Sequence, residues 1–172
     1  MAGDTSGASF HIRHMRPTDV DAVAALISAS WVSTYGPLMG AERAATESAK
    51  KHQPAMIAAD MTRKHSESFV AIADDGAVIG YAYAMVAKGV LWLDRLHVVP
   101  AYRGQGAAAG LLHAVILNYV GDASISLEVL KGNDRAIAFY AREGFVVTDE
   151  RDACGGIGGV PTLIMRKAIS RS

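Results

Sequence analysis

The chain of 172 residues is 51% hydrophobic and 20% charged, the balance of a soluble globular protein long enough for one domain with a sizeable core. Its 17 Lys and Arg residues offset 17 Asp and Glu, which excludes the basic footprint of a nucleic-acid binder and the polybasic anchor of a membrane-surface protein. One cysteine, Cys154, leaves no intrachain disulfide and argues against a thiolate metal cluster.

The opening "MAGDTSGAS", residues 1–9, is small and polar and is expected to be a flexible tail ahead of a single domain over 10–172. It has no basic stretch followed by an apolar core, so it does not read as a secretory signal. The longest apolar run, Ala77 to Ala87, is too short to span a bilayer as a helix. A cytoplasmic protein with neither membrane nor nucleic-acid partner is the expectation.

"FHIRHM" alternates weakly and reads as a first strand. "RPTDVDAVAALISASW" follows as a helix, with Thr18 as its expected cap and Val20, Val23, Leu26 and Ile27 on one face. "SWVSTYG" at 30–36 closes that helix, and the Ala-rich stretch from Gly36 to Ser66 is mostly helical with a break at Pro54. "SFVAIA", "AVIGYAYAMVA" and "VLWLDRLHVV" are three strands joined by tight turns at "DDG" and "KG". Turns that short make the three an antiparallel meander. A helix is expected from about Gly104 to Tyr119, with Leu111, Leu112, Val115 and Ile116 facing the core. "SISLEV" is another strand, and "NDRAIAFYARE" is a helix capped by Asn133 and stopped by Gly144. "FVVTDE" and "PTLIMRKAI" are two final strands around a Gly-rich loop, 155–159. The fold class is α/β, a mixed sheet with helices on its faces.

Between the third meander strand and the next helix lies "HVVPAYRGQGAAAGLL", far richer in small residues than a connection requires. Gly104, Gly106 and Ala109 match the dinucleotide-binding pattern G-x-G-x-x-G/A, and Glu128 follows at about the spacing of the ribose-binding acid. A strand that ends an antiparallel meander disfavours that reading. The alternative uses the helix end itself, whose unpaired N–H groups and partial positive charge bind phosphate. Small residues let a pyrophosphate reach those amides, and Arg103 adds charge at the mouth. Tight helix–sheet packing alone would also select small residues.

"LHVVPAYRGQGAA" resembles the acetyl-coenzyme A loop of the GCN5-related N-acetyltransferases, Gln/Arg-x-x-Gly-x-Gly/Ala, here Arg103-x-x-Gly106-x-Ala108. "LEVLKGNDRAIAFYAREGF" is similar to the second block of the ribosomal-protein N-terminal alanine acetyltransferases, with Glu128, Asn133, Ala136, Tyr140 and Gly144–Phe145 at matching spacing. The resemblance implies a central, mostly antiparallel sheet of about seven strands flanked by helices on both faces. It implies an acetyl-CoA-dependent transfer to a primary amine of a small molecule or a protein N-terminus, without metal, by a protein that can be a homodimer. Arg103, Gly104, Gln105, Gly106, Ala107 and Ala108 would meet the pyrophosphate, and Asn133 would touch the cofactor. In the family two central strands splay apart; by position the backbone of Leu96, His97 and Val98 would pair with the pantetheine arm.

The resemblance makes Tyr140 the proton donor to the leaving thiolate, although a half-buried packing tyrosine is the plainer alternative. Glu128 lies on the strand face opposite Ile125, Leu127 and Val129. It is either the general base or one half of an arginine salt bridge, with Asp94 and His97 as competing bases. Trp31 and Tyr35, four apart on one helix face, form an aromatic wall of the acceptor cleft or belong to the core. The histidines show no metal-ligand spacing. A dinucleotide-dependent oxidoreductase and a non-catalytic coenzyme A sensor are the alternatives; having both Glu128 and Tyr140 argues against the sensor.

Overall fold

The computed structural model describes residues 9–121, 124–152 and 159–169. The expected tail over 1–8, most of the Gly-rich loop and Cys154 lie outside the described residues. In chain order the elements are β1 (Phe10–His14), α1 (Val20–Met39), α2 (Ala41–Lys51), α3 (Pro54–Met61), β2 (Ser66–Ala73), β3 (Val78–Ala87) and β4 (Val90–Val98). They continue with α4 (Ala107–Asn118), β5 (Ser124–Leu130), α5 (Asp134–Arg142), β6 (Val146–Arg151) and β7 (Thr162–Ala168). The sheet has seven strands in the order β1-β2-β3-β4-β5-β7-β6. Every neighbouring pair is antiparallel except β4 and β5.

The meander forms as its turns require. Asp75 accepts a hydrogen bond from the Ala77 N–H at 2.9 Å, closing the β2–β3 turn around Gly76. β4, however, also has a parallel partner, so β4, α4 and β5 make a crossover unit. The glycine loop therefore does lie inside a βαβ unit, a context that the meander alone did not suggest.

Helix boundaries differ from the sequence expectation where a neighbouring group supplies a better terminus. Thr18 is not the cap of α1. A 3₁₀ turn, Pro17–Asp19, precedes it, and the Asp19 carboxylate takes the Arg16 N–H at 2.7 Å and the Arg13 guanidinium at 2.8 and 3.0 Å. That ion pair holds Asp19 below the usual carboxylate range. α1 runs through Pro37 to Met39 and stops at Gly40, whose φ is +93°. Pro54 opens α3 rather than bending a longer helix, since its missing N–H is harmless at a first helical position. α4 starts at Ala107, three residues later than Gly104, because Gly104 and Gly106 take left-handed φ values of +75° and +88°.

Two clusters fill the sheet faces. Phe69, Ala71, Ala82, Leu91, Leu93, Leu127 and Val129 pack under Leu111, Leu112 and Val115 of α4, with Ile116 partly buried beside them. Val70, Ile72, Tyr81 and Tyr83 pack against Val23, Ala24 and Ile27 of α1 and Ile57 of α3. The segment Pro17–Met39 is long and apolar enough by composition to cross a membrane. Here one face of it covers the sheet.

Leu111 is fully buried, directly over the glycine of β3: a Cβ built on Gly80 would lie 2.9 Å from Leu111 Cδ1. Leu111→Ala leaves a cavity between α4 and the sheet and is expected to lower stability by about 2–5 kcal/mol, read from urea unfolding. A change below about 1 kcal/mol would mean that α4 is not anchored through this residue.

Candidate active site

The site begins with one extra residue in β4. Tyr83 is opposite Arg95 while Ala84 is opposite Leu93, so Asp94 is a bulge against β3. On its other edge β4 pairs with β5 only through Leu91, Trp92 and Leu93. Beyond Leu93 and Leu127 the two parallel strands part. A cleft of ≈ 450 Å³ opens there, lined by Leu96, His97 and Val98 of β4, by Glu128 and Val129 of β5, and by α1, α4 and α5.

The bulge also reverses which side chains face which way. Leu91 and Leu93 belong to the cluster under α4, and so do Leu96 and Val98. Arg95 and His97 are thereby turned toward α1 and α3. Arg95 pairs with Asp60 of α3 at 2.8 Å, and His97 Nδ1 shares a hydrogen bond with the Ser30 hydroxyl of α1 at 2.9 Å. Burial, reinforced by the nearby His52, Arg95 and Arg103, pushes His97 down to about 3. It is a neutral imidazole at any working pH and too weak a base to deprotonate an ammonium.

At one end of the cleft the chain passes through a 3₁₀ turn, Pro100–Tyr102, into Arg103 and the two left-handed glycines. A Cβ on Gly104 or Gly106 would meet no protein atom within 4 Å, so the glycines are demanded by conformation and leave open space above them. The first helical bond of α4 runs from the Gly110 N–H to the Gly106 carbonyl, leaving the amides of Ala107 and Ala108 at the open end. Arg103, Gly104, Gly106, Ala107 and Ala108 line the cleft. Gln105 points elsewhere, donating to the Ala101 carbonyl at 3.1 Å.

α5 forms the facing wall. Asn133 caps it by accepting the Ala136 N–H at 3.4 Å and also reaches the Tyr35 hydroxyl. Tyr140 packs edge-on against Phe139 and Phe145, ring centroids 5.3 and 5.5 Å away. Burial, with Tyr35 adding to it, pushes the Tyr140 hydroxyl well above the usual tyrosine range, so it stays protonated. It is both a packing residue and a cleft residue.

The opposite end is aromatic. Trp31 and Tyr35 of α1 meet in a T-shape at 4.3 Å, and His52 lies edge-on to Trp31 at 5.1 Å. His52 is held by the Ser48 hydroxyl at 2.9 Å and pushed down to about 4, chiefly by burial. Sequence reasoning missed His52, Ser30 and Thr34, which line the same cleft. Ser30 and Thr34 flank Trp31 and Tyr35 on the helix, a signal that was available. His52 reaches the cleft only through the packing of α2 on α1.

Three carboxylates line this space, Glu128, Asp94 and Glu143, the last beside His113 at 3.4 Å. Glu128 accepts the Thr162 hydroxyl at 2.5 Å and makes a 3.4 Å ion pair with Arg151. Asp94, on the bulge, is 47% exposed with a looser contact to Arg95 at 3.7 Å. The cleft walls withdraw water from it and raise its pKa. Among the described residues no group of three or more His, Cys, Asp or Glu could hold a metal ion.

A strand pair opened by a bulge, a small-residue helix end and a buried tyrosine thus meet in one cleft. The profile of the Acetyltransferase (GNAT) family matches residues 27–145, and the chain belongs to that family. It is 30% identical over 139 residues to uncharacterized N-acetyltransferases of Mycobacterium bovis and Mycobacterium tuberculosis, covering 78% of this chain and 87% of theirs. The PaiA N-acetyltransferase of Thermoplasma acidophilum, solved with coenzyme A, superposes with a TM-score of 0.81 at 23% identity over 93% of this chain and 99% of that one. The ribosomal-protein-S18-alanine N-acetyltransferase of Escherichia coli gives 0.68 at 21% identity, covering 95% and 96%. At these identities the structural likeness is one of fold. Family membership favours neither the oxidoreductase nor the sensor.

His52 and His97 bind protons more readily in the unfolded chain than in the folded one, so their stability contribution is complete above about pH 6.5 and is lost as pH falls toward 4 and 3. The melting temperature is expected to decline from pH 7 to 4. His97→Asn keeps a polar group near Ser30 but cannot gain a proton, and should make that decline shallower. An identical slope in both proteins would show that His97 is not buried as described.

Proposed function

We propose that the protein transfers acetyl from acetyl-CoA to a primary amine by direct attack in a ternary complex. The observation that carries this is the parting of β4 and β5 beside the open end of α4. Bound acetyl-CoA supplies an activated thioester. The free β4 edge over Leu96, His97 and Val98 provides backbone partners for its pantetheine arm. The N–H of Val98 or of a neighbour polarises the thioester carbonyl and takes up the developing negative charge. The loop from Arg103 to Ala108 and Asn133 hold the phosphate end and the arm.

Tyr140 donates a proton to the departing thiolate, as its persistently neutral hydroxyl allows. Glu128 accepts the proton from the amine, directly or through water, with its carboxylate oriented by Thr162. A second assignment has a specific observation in its favour: Asp94 is freer of partners and its raised pKa brings it closer to a working general base. Trp31 and Tyr35 wall the acceptor side. The acceptor is a small-molecule amine or a protein N-terminus.

Stabilisation against heat by acetyl-CoA but not by NAD or NADP, followed by thiol release across an amine library, tests the reaction. Stabilisation by a dinucleotide alone would overturn it. With the best amine, Glu128→Gln is expected to lower turnover roughly 10²–10⁴-fold with little change in acetyl-CoA affinity. Unchanged activity there, with loss in Asp94→Asn, would move the base to Asp94.

Tyr140→Phe keeps the ring between Phe139 and Phe145, and is expected to slow turnover about 10–10²-fold with little change in melting temperature. Because burial raises the hydroxyl, the wild-type rate should not fall at the usual tyrosine pKa; its basic limb should lie above pH 10. Equal rates for the two proteins over pH 6–10 would leave Tyr140 a packing residue only.

A further inference from the structure

Two arginines from different walls of the cleft have no ion-pair partner among the described residues. Arg103 precedes α4, and Arg135 is the second residue of α5; both line the same space. Arg103 is held below its ordinary value by burial and by the positive charge of Arg135. Among the described residues neither has an ion-pair partner, and of the cleft's arginines only Arg95 has one, with Asp60 at 2.8 Å. The carboxylates that line the cleft are engaged elsewhere: Glu128 with Arg151 at 3.4 Å, Asp94 with Arg95 at 3.7 Å, and Glu143 with His113 of α4 at 3.4 Å.

Helix electrostatics make the placement of Arg135 more telling. A cation is favoured in the last turn of a helix, where α5 has Arg142, and disfavoured in the first. Arg135 therefore bears two unfavourable contacts, with the positive end of its own helix and with Arg103. Asp134 beside it eases the first and makes no ion pair with it. An anion between the two guanidiniums would reverse the sign of both.

We propose that Arg135 is the second arm of a phosphate clamp, closing with Arg103 on a phosphate of the cosubstrate from the opposite wall of the cleft. This rests on the acetyl-CoA reading above. Coenzyme A carries two phosphate groups that could enter, the pyrophosphate and the 3′-phosphate, and the chemistry of capture is the same for each.

The test is Arg135→Gln, titrated calorimetrically with acetyl-CoA and acetyl-dephospho-CoA, and by NMR with acetyl-pantetheine, which has neither group. The expected result is about a 10–100-fold loss of acetyl-CoA affinity, the scale of a charge-assisted hydrogen bond, with acetyl-pantetheine binding unchanged. A parallel loss with acetyl-dephospho-CoA places the clamp on the pyrophosphate; loss with acetyl-CoA alone places it on the 3′-phosphate. Without ligand the variant should melt no lower than wild type, because the substitution removes repulsion. Undiminished acetyl-CoA affinity, or an equal loss with all three thioesters, would overturn the clamp alone. Failure of wild type to bind acetyl-CoA would overturn the cofactor reading and the clamp with it.

Discussion

β4 is held on one edge by β3 along most of its length and on the other by β5 for only three residues. The extra residue at Asp94 reconciles the two. It shifts the register against β3, turns the following side chains over, and bends the strand away from β5. Arg95 and His97 consequently reach α3 and α1, while Leu96 and Val98 remain on the face of the α4 cluster. The cleft, the histidine anchored to α1 and the free strand edge are thus consequences of one insertion. An unpaired backbone group costs about 1–3 kcal/mol when water is excluded. A ligand that pairs with this edge recovers that energy, which is how an unpaired strand edge becomes a binding surface.

Arg103 and Arg135 line the cleft with no carboxylate paired to them among the described residues, Asp94 lines it with only a loose partner, and Lys51 stands over the Trp31 ring. His52 and His97 add no charge to the cleft, because burial keeps both neutral. In the proposed transfer, a charged imidazole would oppose a cationic acceptor and compete for its proton.

The parts legible in the sequence were those encoded within a few neighbouring residues. Strand alternation, the "DDG" turn and the Asn133 cap are local, and each occurs where the pattern put it, while the helix expected from Gly104 starts only at Ala107. The bulge was not read, yet it left a trace: the core positions of "VLWLDRLHVV" run Leu91, Leu93, Leu96, Val98, and the step of three breaks the alternation at Asp94. The cap of α1 was misplaced by one residue because Arg13, six positions upstream, recruits Asp19 rather than Thr18. His52 and the Arg95–Asp60 pair were beyond reach, since they depend on how α2 and α3 pack, which an Ala-rich stretch does not specify.

The two halves of the site are built from different materials, and this bears on how the acceptor is chosen. The donor half depends on backbone: left-handed φ at Gly104 and Gly106, the amides at the start of α4, and the free edge of β4. Side-chain exchange scarcely alters such features unless it forbids the conformation. The proposed acceptor half depends on side chains of α1 and on His52, just past α2, with Trp31 packed between Tyr35 and His52. Under the proposed function, changes confined to residues 30–52 would reshape the acceptor wall while the thioester stays in place. Selectivity for the amine would then belong to the helices, and the capacity for transfer to the strand.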